Sequence, residues 1–253
     1  MRVFRTLAVL VALATTLGGS ARAADWYTGV PSDGPPEDKP PRVSIDIALD
    51  GSSQRAVSGA LIGTIAPFGS MYKSGMRVRL SVLGGSYVYT PATPILLGNI
   101  HGTIINGAFL VGYEWVTTRA TVAVYGGAEA VNTSISPNDP NNTVKGGRAG
   151  VKLATDFYVT PTDDMMIAGV ASYSSNFNAY YGRLKFGFAI GDRLYIGPEV
   201  AALGDNFFQQ WRVGGHVSGL RFGAMQFGAA VGFVNDRVRG AGVYGTLDTR
   251  VTF

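Results

Sequence analysis

The sequence predicts an all-β fold: a transmembrane, antiparallel, up-and-down β-barrel of about twelve strands, preceded by a cleaved signal peptide. Three observations carry that prediction. First, the C-terminal segment sorts by face. Val243, Gly245, Leu247, Thr249, Val251 and Phe253 share one side of an extended chain, whereas Tyr244, Thr246, Asp248, Arg250 and Thr252 share the other. Such a strand turns its apolar side to lipid and its charges to a lumen. Second, the N-terminus reads as an export leader. Third, the connections between period-two segments alternate between short and long, as they do when one barrel end faces the periplasm and the other the exterior.

The elements follow in chain order. Arg2 and Arg5 form a positive n-region, residues 7–17 a short apolar core, and Ala21, Arg22 and Ala23 a small-residue cleavage site. Residues 1–23 are therefore expected to be a signal peptide, with an N-terminal anchor helix as the alternative. The apolar run is too short to span a bilayer. Residues 24–42 open with Asp25, Trp26, Tyr27, Thr28 and Gly29 and then become proline-rich. Proline lacks the N–H that a helix or central strand needs, so this stretch reads as an extended periplasmic lead-in, or else a docking peptide.

Residues 43–253 carry the strand pattern. Val43, Ile45, Ile47 and Leu49 alternate with Ser44, Asp46 and Ala48; residues 57–66 form a weaker second segment. Met76, Val78, Leu80 and Val82 alternate with Arg77, Arg79 and Ser81, and Phe109 to Trp115 alternate with Ala108, Leu110, Gly112 and Glu114. Thr121, Ala123, Tyr125 and Glu129 oppose Ala120, Val122 and Val124. Arg148, Lys152, Ala154 and Asp156 oppose Ala149, Val151, Leu153 and Phe157. The series continues through 165–173, then Arg183 and Lys185 against Leu184, Phe186 and Phe188, and Tyr195, Gly197 and Glu199 against Leu194, Ile196 and Val200. Arg212, His216 and Ser218 oppose Trp211, Val213 and Val217; Gln226, Gly228 and Gly232 oppose Met225, Phe227, Val231 and Phe233. Period-two patterning of this density has no helical competitor. An even number of strands suits a closed bacterial barrel, so ten is the fallback should the weak early segments fail.

Short connections at 116–118, 161–164, 191–192 and 219–223 alternate with longer ones at 132–145, 174–178, 204–208 and 235–240. Residues 89–107, interrupted by Pro91 and Pro94, read as an outer loop over the mouth or as a misregistered strand. Pro198, inside the Gly197-Pro198-Glu199 run, predicts a bulge that re-aims Glu199.

Composition narrows function. The chain has 21 basic and 17 acidic side chains, but Arg2, Arg5 and Arg22 belong to the leader, which leaves 18 against 17. A balance of +1 is no argument for nucleic acid. The absence of cysteine removes disulfides, thiolate metal sites, a cysteine nucleophile and lipoprotein acylation. Hydrophobic residues at 46% rule out a disordered glycine-rich chain. Neither histidine has metal-ligand spacing with the other, and no phosphate-cradling glycine loop precedes a helix, so no metal or cofactor is expected.

The inward charges are the first candidates for chemistry: Arg77, Arg79, Arg148, Lys152, Arg183, Lys185, Arg212 and Arg250, with Glu114, Glu129, Asp156, Glu199 and Asp248. A charge facing lipid near the midplane costs about 2–4 kcal/mol, so these must point inward. They either neutralise one another in a filled barrel or line a wet, net positive lumen that guides an anion or a sugar chain. Tyr125, Tyr195 and Tyr244 share that face and can offer aromatic surfaces to a glycan. His216-Val217-Ser218 has the His-x-Ser spacing of some barrel lipid hydrolases. The register turns the pair toward the lumen, however, and no acid is nominated beside it, so catalysis is not expected. His101 has no visible partner.

Several segments in order resemble the cellulose biosynthesis protein BcsS family of Gram-negative bacteria. They are Asp25–Gly29, Gly112-Tyr-Glu-Trp115, Gly147-Arg-Ala-Gly-Val-Lys152, Ala171-Ser-Tyr-Ser174 and Tyr181-Gly-Arg-Leu-Lys-Phe-Gly187, followed by Gly197-Pro-Glu-Val-Ala-Ala-Leu-Gly204, Arg212-Val-Gly214 and Tyr244-Gly-Thr-Leu247. The proline-rich insert after Gly29 departs from the pattern. The resemblance implies an outer-membrane accessory role in making or exporting cellulose or a related exopolysaccharide, without catalysis and without established site residues. The expected partners are outer-membrane lipid, the glycan, periplasmic cellulose-synthase components, and the insertion machinery reading Phe253. General porin, structural barrel and lipid-modifying hydrolase are the alternatives. Arg148, Lys152, Arg183, Lys185, Glu199 and Arg212 lie in the resembling segments and face the predicted lumen. Together with Tyr195 and Tyr244 they are the candidate binding residues.

Overall fold

The computed structural model describes residues 24–25, 30–31, 40–91, 98–190 and 194–253. The expected signal peptide and most of the lead-in lie outside them. From residue 43 onward the chain forms twelve strands. They are β1 (Val43–Ser52), β2 (Ala56–Ile65), β3 (Gly75–Tyr89), β4 (Ile100–Val116), β5 (Ala120–Ser136) and β6 (Gly146–Thr162), then β7 (Met165–Ser174), β8 (Ala179–Ala189), β9 (Tyr195–Gly204), β10 (Gln209–Phe222), β11 (Met225–Asp236) and β12 (Gly240–Thr252). Each pairs antiparallel with its sequence neighbours, and β12 closes on β1. Closure gives every strand two partners, the condition for crossing hydrocarbon without unpaired backbone. Among the described residues no helix is long and apolar enough to cross a membrane.

The period-two pattern sorts as expected. Leu49, Leu80, Phe109, Leu153, Phe188, Val231 and Leu247 are exposed on the outside, and Asp46, Arg77, Arg79, Glu114, Asp156, Lys185, Glu199, Asp248 and Arg250 are buried inside. This inverts a water-soluble fold: solvation by lipid makes the apolar exterior the low-energy one. The closing register sets Leu247 opposite Leu49 on the outside and Arg250 opposite Asp46 on the inside.

Four details of the strand and loop bounds differ from the sequence reading. Pro94 lies outside the described residues, whereas residues 100–107 are strand, paired through β3 from Tyr89↔Ile100 to Val82↔Gly107. The pattern faded there because the outward positions turn polar at His101 and Thr103 once the wall leaves the apolar belt. The expected loop 132–145 begins five residues later, since β5 runs to Ser136. Likewise 219–222 is strand: a register shift between Ser218 and Leu220 precedes a tight turn at Gly223 and Ala224, where Gly223 has φ +59°. Finally, the connection 66–74 is long although it lies at the end carrying the short turns. It folds back against the barrel, with Ala66, Ser70 and Met71 buried.

Pro198 causes no bulge. The β8–β9 register is the same on both sides of it, Lys185↔Glu199 and Phe188↔Ile196, but the ladder lapses between those pairs. The missing proline N–H leaves the Phe186 carbonyl without its ladder donor. The side chain of His216 on β10 takes that place, with Nε2 donating to Phe186 O at 3.0 Å.

The wall is uneven. β4, β5 and β6 have 17 residues each, whereas β7 and β9 have 10. β6 pairs with β7 only from Lys152 inward, so the first residues of β6 stand above β7 at the outer end. The outward side chains of this raised section, among them Thr103, Asn132 and Ser134, are exposed and polar.

Candidate functional site: a lumen of matched charges

Alternation delivers charged side chains to the lumen, and the barrel radius then decides whether they meet water or one another. Here they meet one another. At the inner end Arg77 Nε donates to Glu114 at 2.5 Å, and the same guanidinium reaches the carbonyls of Ser70 (3.3 Å) and Lys73 (2.7 Å) in the 66–74 connection. Arg79 pairs with Asp156 at 2.5 Å and stacks 3.8 Å above the Tyr125 ring; Arg250 holds Asp46 through Nε and, at 2.9 Å, through Nη2. Further out, Arg183 bridges Glu199 (2.8 Å) and Asp248 (3.1 Å), Lys185 adds a 3.1 Å contact to Asp248, and the Tyr244 hydroxyl donates to Glu199 at 2.7 Å. Lys152 pairs with Glu129 at 2.6 Å, and Arg212 grips Asp50 with both terminal nitrogens.

Seven basic and seven acidic side chains thus neutralise one another. Of the two readings of the inward charges, mutual neutralisation matches these pairs and the net positive lining does not, because Asp46 and Asp50 of β1 supply further negative charge. Asp46 was visible as an inward position but was not counted among the lumen charges, and Asp50 lay one step past the pattern that was read. Extending the strict alternation of β1 by two residues was the signal.

The candidate residues do not form one cluster. Arg183, Lys185, Glu199 and Tyr244 share a network, and Arg212 joins it by lying 4.9 Å over the Tyr244 ring. Lys152 sits across the lumen with Glu129, whose other oxygen accepts from Ser174 Oγ. Arg148 stands at the outer rim, exposed, with its guanidinium 4.4 Å over Phe177. Tyr195 lies apart in an apolar cluster with Tyr158, Met166 and Ala168.

Two apolar layers frame the charges. That Tyr195 cluster, together with Leu110, Ala108, Ala123 and Tyr125, packs the inner half. At the outer mouth Val131, Val144 and Phe177 form a cluster against which Ile104 and Phe207 pack. The outer loops tie down onto it. The Tyr89 hydroxyl donates to Asp139 at 2.9 Å and accepts from Asn142 at 3.0 Å, and the Tyr89 ring lies 5.2 Å from Phe207. In the 205–208 loop the Asp205 carboxylate accepts from the N–H groups of Phe207 and Phe208, but burial outweighs them and raises its pKa above the usual carboxylate value. Between the layers lies a chamber of about 370 Å³ reaching from Arg79 and Asp156 to the outer loop residues Asp205 and Phe208.

The His-x-Ser pair is present as a contact: His216 Nδ1 lies 2.9 Å from Ser218 Oγ. Because Nε2 must donate to the Phe186 carbonyl, Nδ1 accepts the serine proton. Ser218 is fully buried on the lumen side, away from acyl chains. The imidazole is thus explained as the substitute donor for Pro198.

A family profile described as "Cellulose biosynthesis protein BcsS" matches residues 44–253, all but the first residue of the barrel. The chain belongs to the BcsS family. It is accordingly an outer-membrane barrel associated with cellulose biosynthesis. No curated protein matches it. Among solved structures, the transport unit of the autotransporter AIDA-I from Escherichia coli is 8% identical with a TM-score of 0.52, over 98% of this chain and 97% of that one. An outer membrane channel from Pseudomonas putida F1 is 9% identical with a TM-score of 0.51, over 87% and 100%. At such identities the likeness concerns the fold alone. The chain is also similar to the KdgM porin at 11% identity and a TM-score of 0.44, over 83% and 99%.

Proposed function

We propose that this BcsS-family barrel is a non-enzymatic accessory that contacts a β-glucan at its outer mouth and assists its secretion or surface organisation. The observation that carries the reading is the pairing of the lumen charges between two packed apolar layers. A conduit for a polymer needs a continuous wet path. This lumen is packed with side chains at its inner half, which leaves the outer mouth as the surface for a glycan. Aromatic rings and an amide suited to sugar faces and hydroxyls are accessible there: Tyr87, Phe207 and Phe208 are part-exposed and Asn206 is exposed, with the buried Tyr89 ring behind Tyr87 at a centroid distance of 6.2 Å. The glycan, the periplasmic synthase components and the export of the mature chain after residue 23 belong to this proposal.

Deleting the protein tests it. Cellulose output or cellulose attachment to the cell surface is expected to fall, and normal values of both would refute the accessory role. Planar-bilayer recording separates it from a porin: silence is expected, and a large unselective current would favour the porin.

A further inference from the structure

The chamber offers a more specific assignment, which rests on the glycan-contact reading. We propose that it is a blind binding site for the end of a neutral, polyhydroxylated ligand, a short stretch of sugar chain entering from outside.

Four observations lead there. The chamber's volume of about 370 Å³ falls in the range of small-molecule sites, roughly 300–1,000 Å³. It reaches the 205–208 loop at one end and stops at Arg79, Asp156, Leu110 and Ala168 at the other, beneath which Arg77, Tyr158, Met166 and Tyr195 are buried. Apart from Asp205 of the outer loop, whose carboxylate accepts from backbone N–H groups, its charged lining groups are matched in ion pairs, so an anionic guest would find no counter-ion without breaking a pair. Between those pairs stand neutral hydrogen-bonding groups, including Ser81, Asn106, Ser172 and Tyr181.

One atom asks for a partner. Asp156 spends Oδ2 on Arg79, but Oδ1 is buried and has no hydrogen-bond partner among the described residues. The residue is 1% exposed and lines the floor of the chamber. A buried carboxylate oxygen without a donor is costly, and a hydroxyl donor relieves it. A sugar supplies such donors in number, with ring oxygens and further hydroxyls to accept from the lysine and arginine edges.

The test is calorimetric titration of cellobiose into the detergent-solubilised, folded barrel. Saturable binding is expected. Ser172→Leu fills the chamber without touching an ion pair and should weaken binding at least tenfold, whereas Ala171→Leu, its neighbour on the lipid face, should leave it unchanged. Cellobionate, the acid of the same disaccharide, should bind at least tenfold more weakly than cellobiose. No binding of cellobiose at millimolar concentration, equal binding by Ser172→Leu, or cellobionate binding as tightly as cellobiose each overturns the assignment. If cellobiose fails to bind while the deletion strain loses cellulose attachment, the chamber is refuted and the accessory reading stands. If cellobiose binds as expected while the deletion strain is normal, the accessory reading falls and the chamber stands.

Discussion

Arg77 and Glu114 give the sharpest test of the lumen as a set of interlocked charges. The pair is fully internal, with side chains 0% and 10% exposed. Removing one member of such a pair costs about 3–5 kcal/mol, because the other is left as a buried charge. The structure places the two single variants at opposite ends of that range. In Glu114→Gln the guanidinium keeps the carbonyls of Ser70 and Lys73, so a loss near 3 kcal/mol is expected. In Arg77→Leu both Glu114 and those carbonyls lose their donor, so the loss should approach 5 kcal/mol. The double variant Arg77→Leu/Glu114→Leu removes both charges and leaves only the carbonyls unsatisfied, a cost of about 1–3 kcal/mol. It should therefore be more stable than Arg77→Leu alone. Urea unfolding in detergent micelles, followed by heat-modifiable gel mobility, gives the midpoints. Single variants within about 0.5 kcal/mol of the parent, or a double variant as unstable as the sum of the singles, would refute the reasoning.

Four further outcomes are expected. Gly197→Ala should destabilise the barrel by about 1–3 kcal/mol in the same assay, because a Cβ there collides with the Phe186 carbonyl oxygen. His216→Ala should cost about 1–3 kcal/mol by orphaning that carbonyl, and Ser218→Ala should leave the lipid profile of the membrane unchanged, as judged by mass spectrometry. Leu247→Arg, on the lipid side of β12, should lose about 2–4 kcal/mol on refolding into vesicles, whereas Leu247→Ile should not.

The barrel itself was legible because lipid enforces one rule along the whole wall: every second residue is apolar. β12 with its split of Leu247 and Val251 from Asp248 and Arg250 shows it in full. The rule fails where the wall rises out of hydrocarbon, and 100–107 was obscure for that reason. Side-chain destinations within the lumen were less legible. Alternation states that Tyr195 and Tyr244 both point inward, but it does not say that one joins Met166 and the other Glu199, since partners come from strands far apart in sequence. Asp50 meets Arg212 across the barrel from a separation of 162 residues. The role of His216 was hidden for the same reason: its partner is a carbonyl freed by a proline on the neighbouring strand.

The unequal strand lengths have a consequence for access. The six residues of β6 that precede its pairing with β7 amount to roughly 15 Å of added height at a strand tilt near 40°. The rim therefore slopes like a cut reed, tall over β4 to β6 and low over β7 to β9. On the proposed glycan-contact reading, a chain approaching along the bilayer has a clear path to the mouth from the low side and meets the wall from the tall one, which gives its approach a direction in the plane of the membrane.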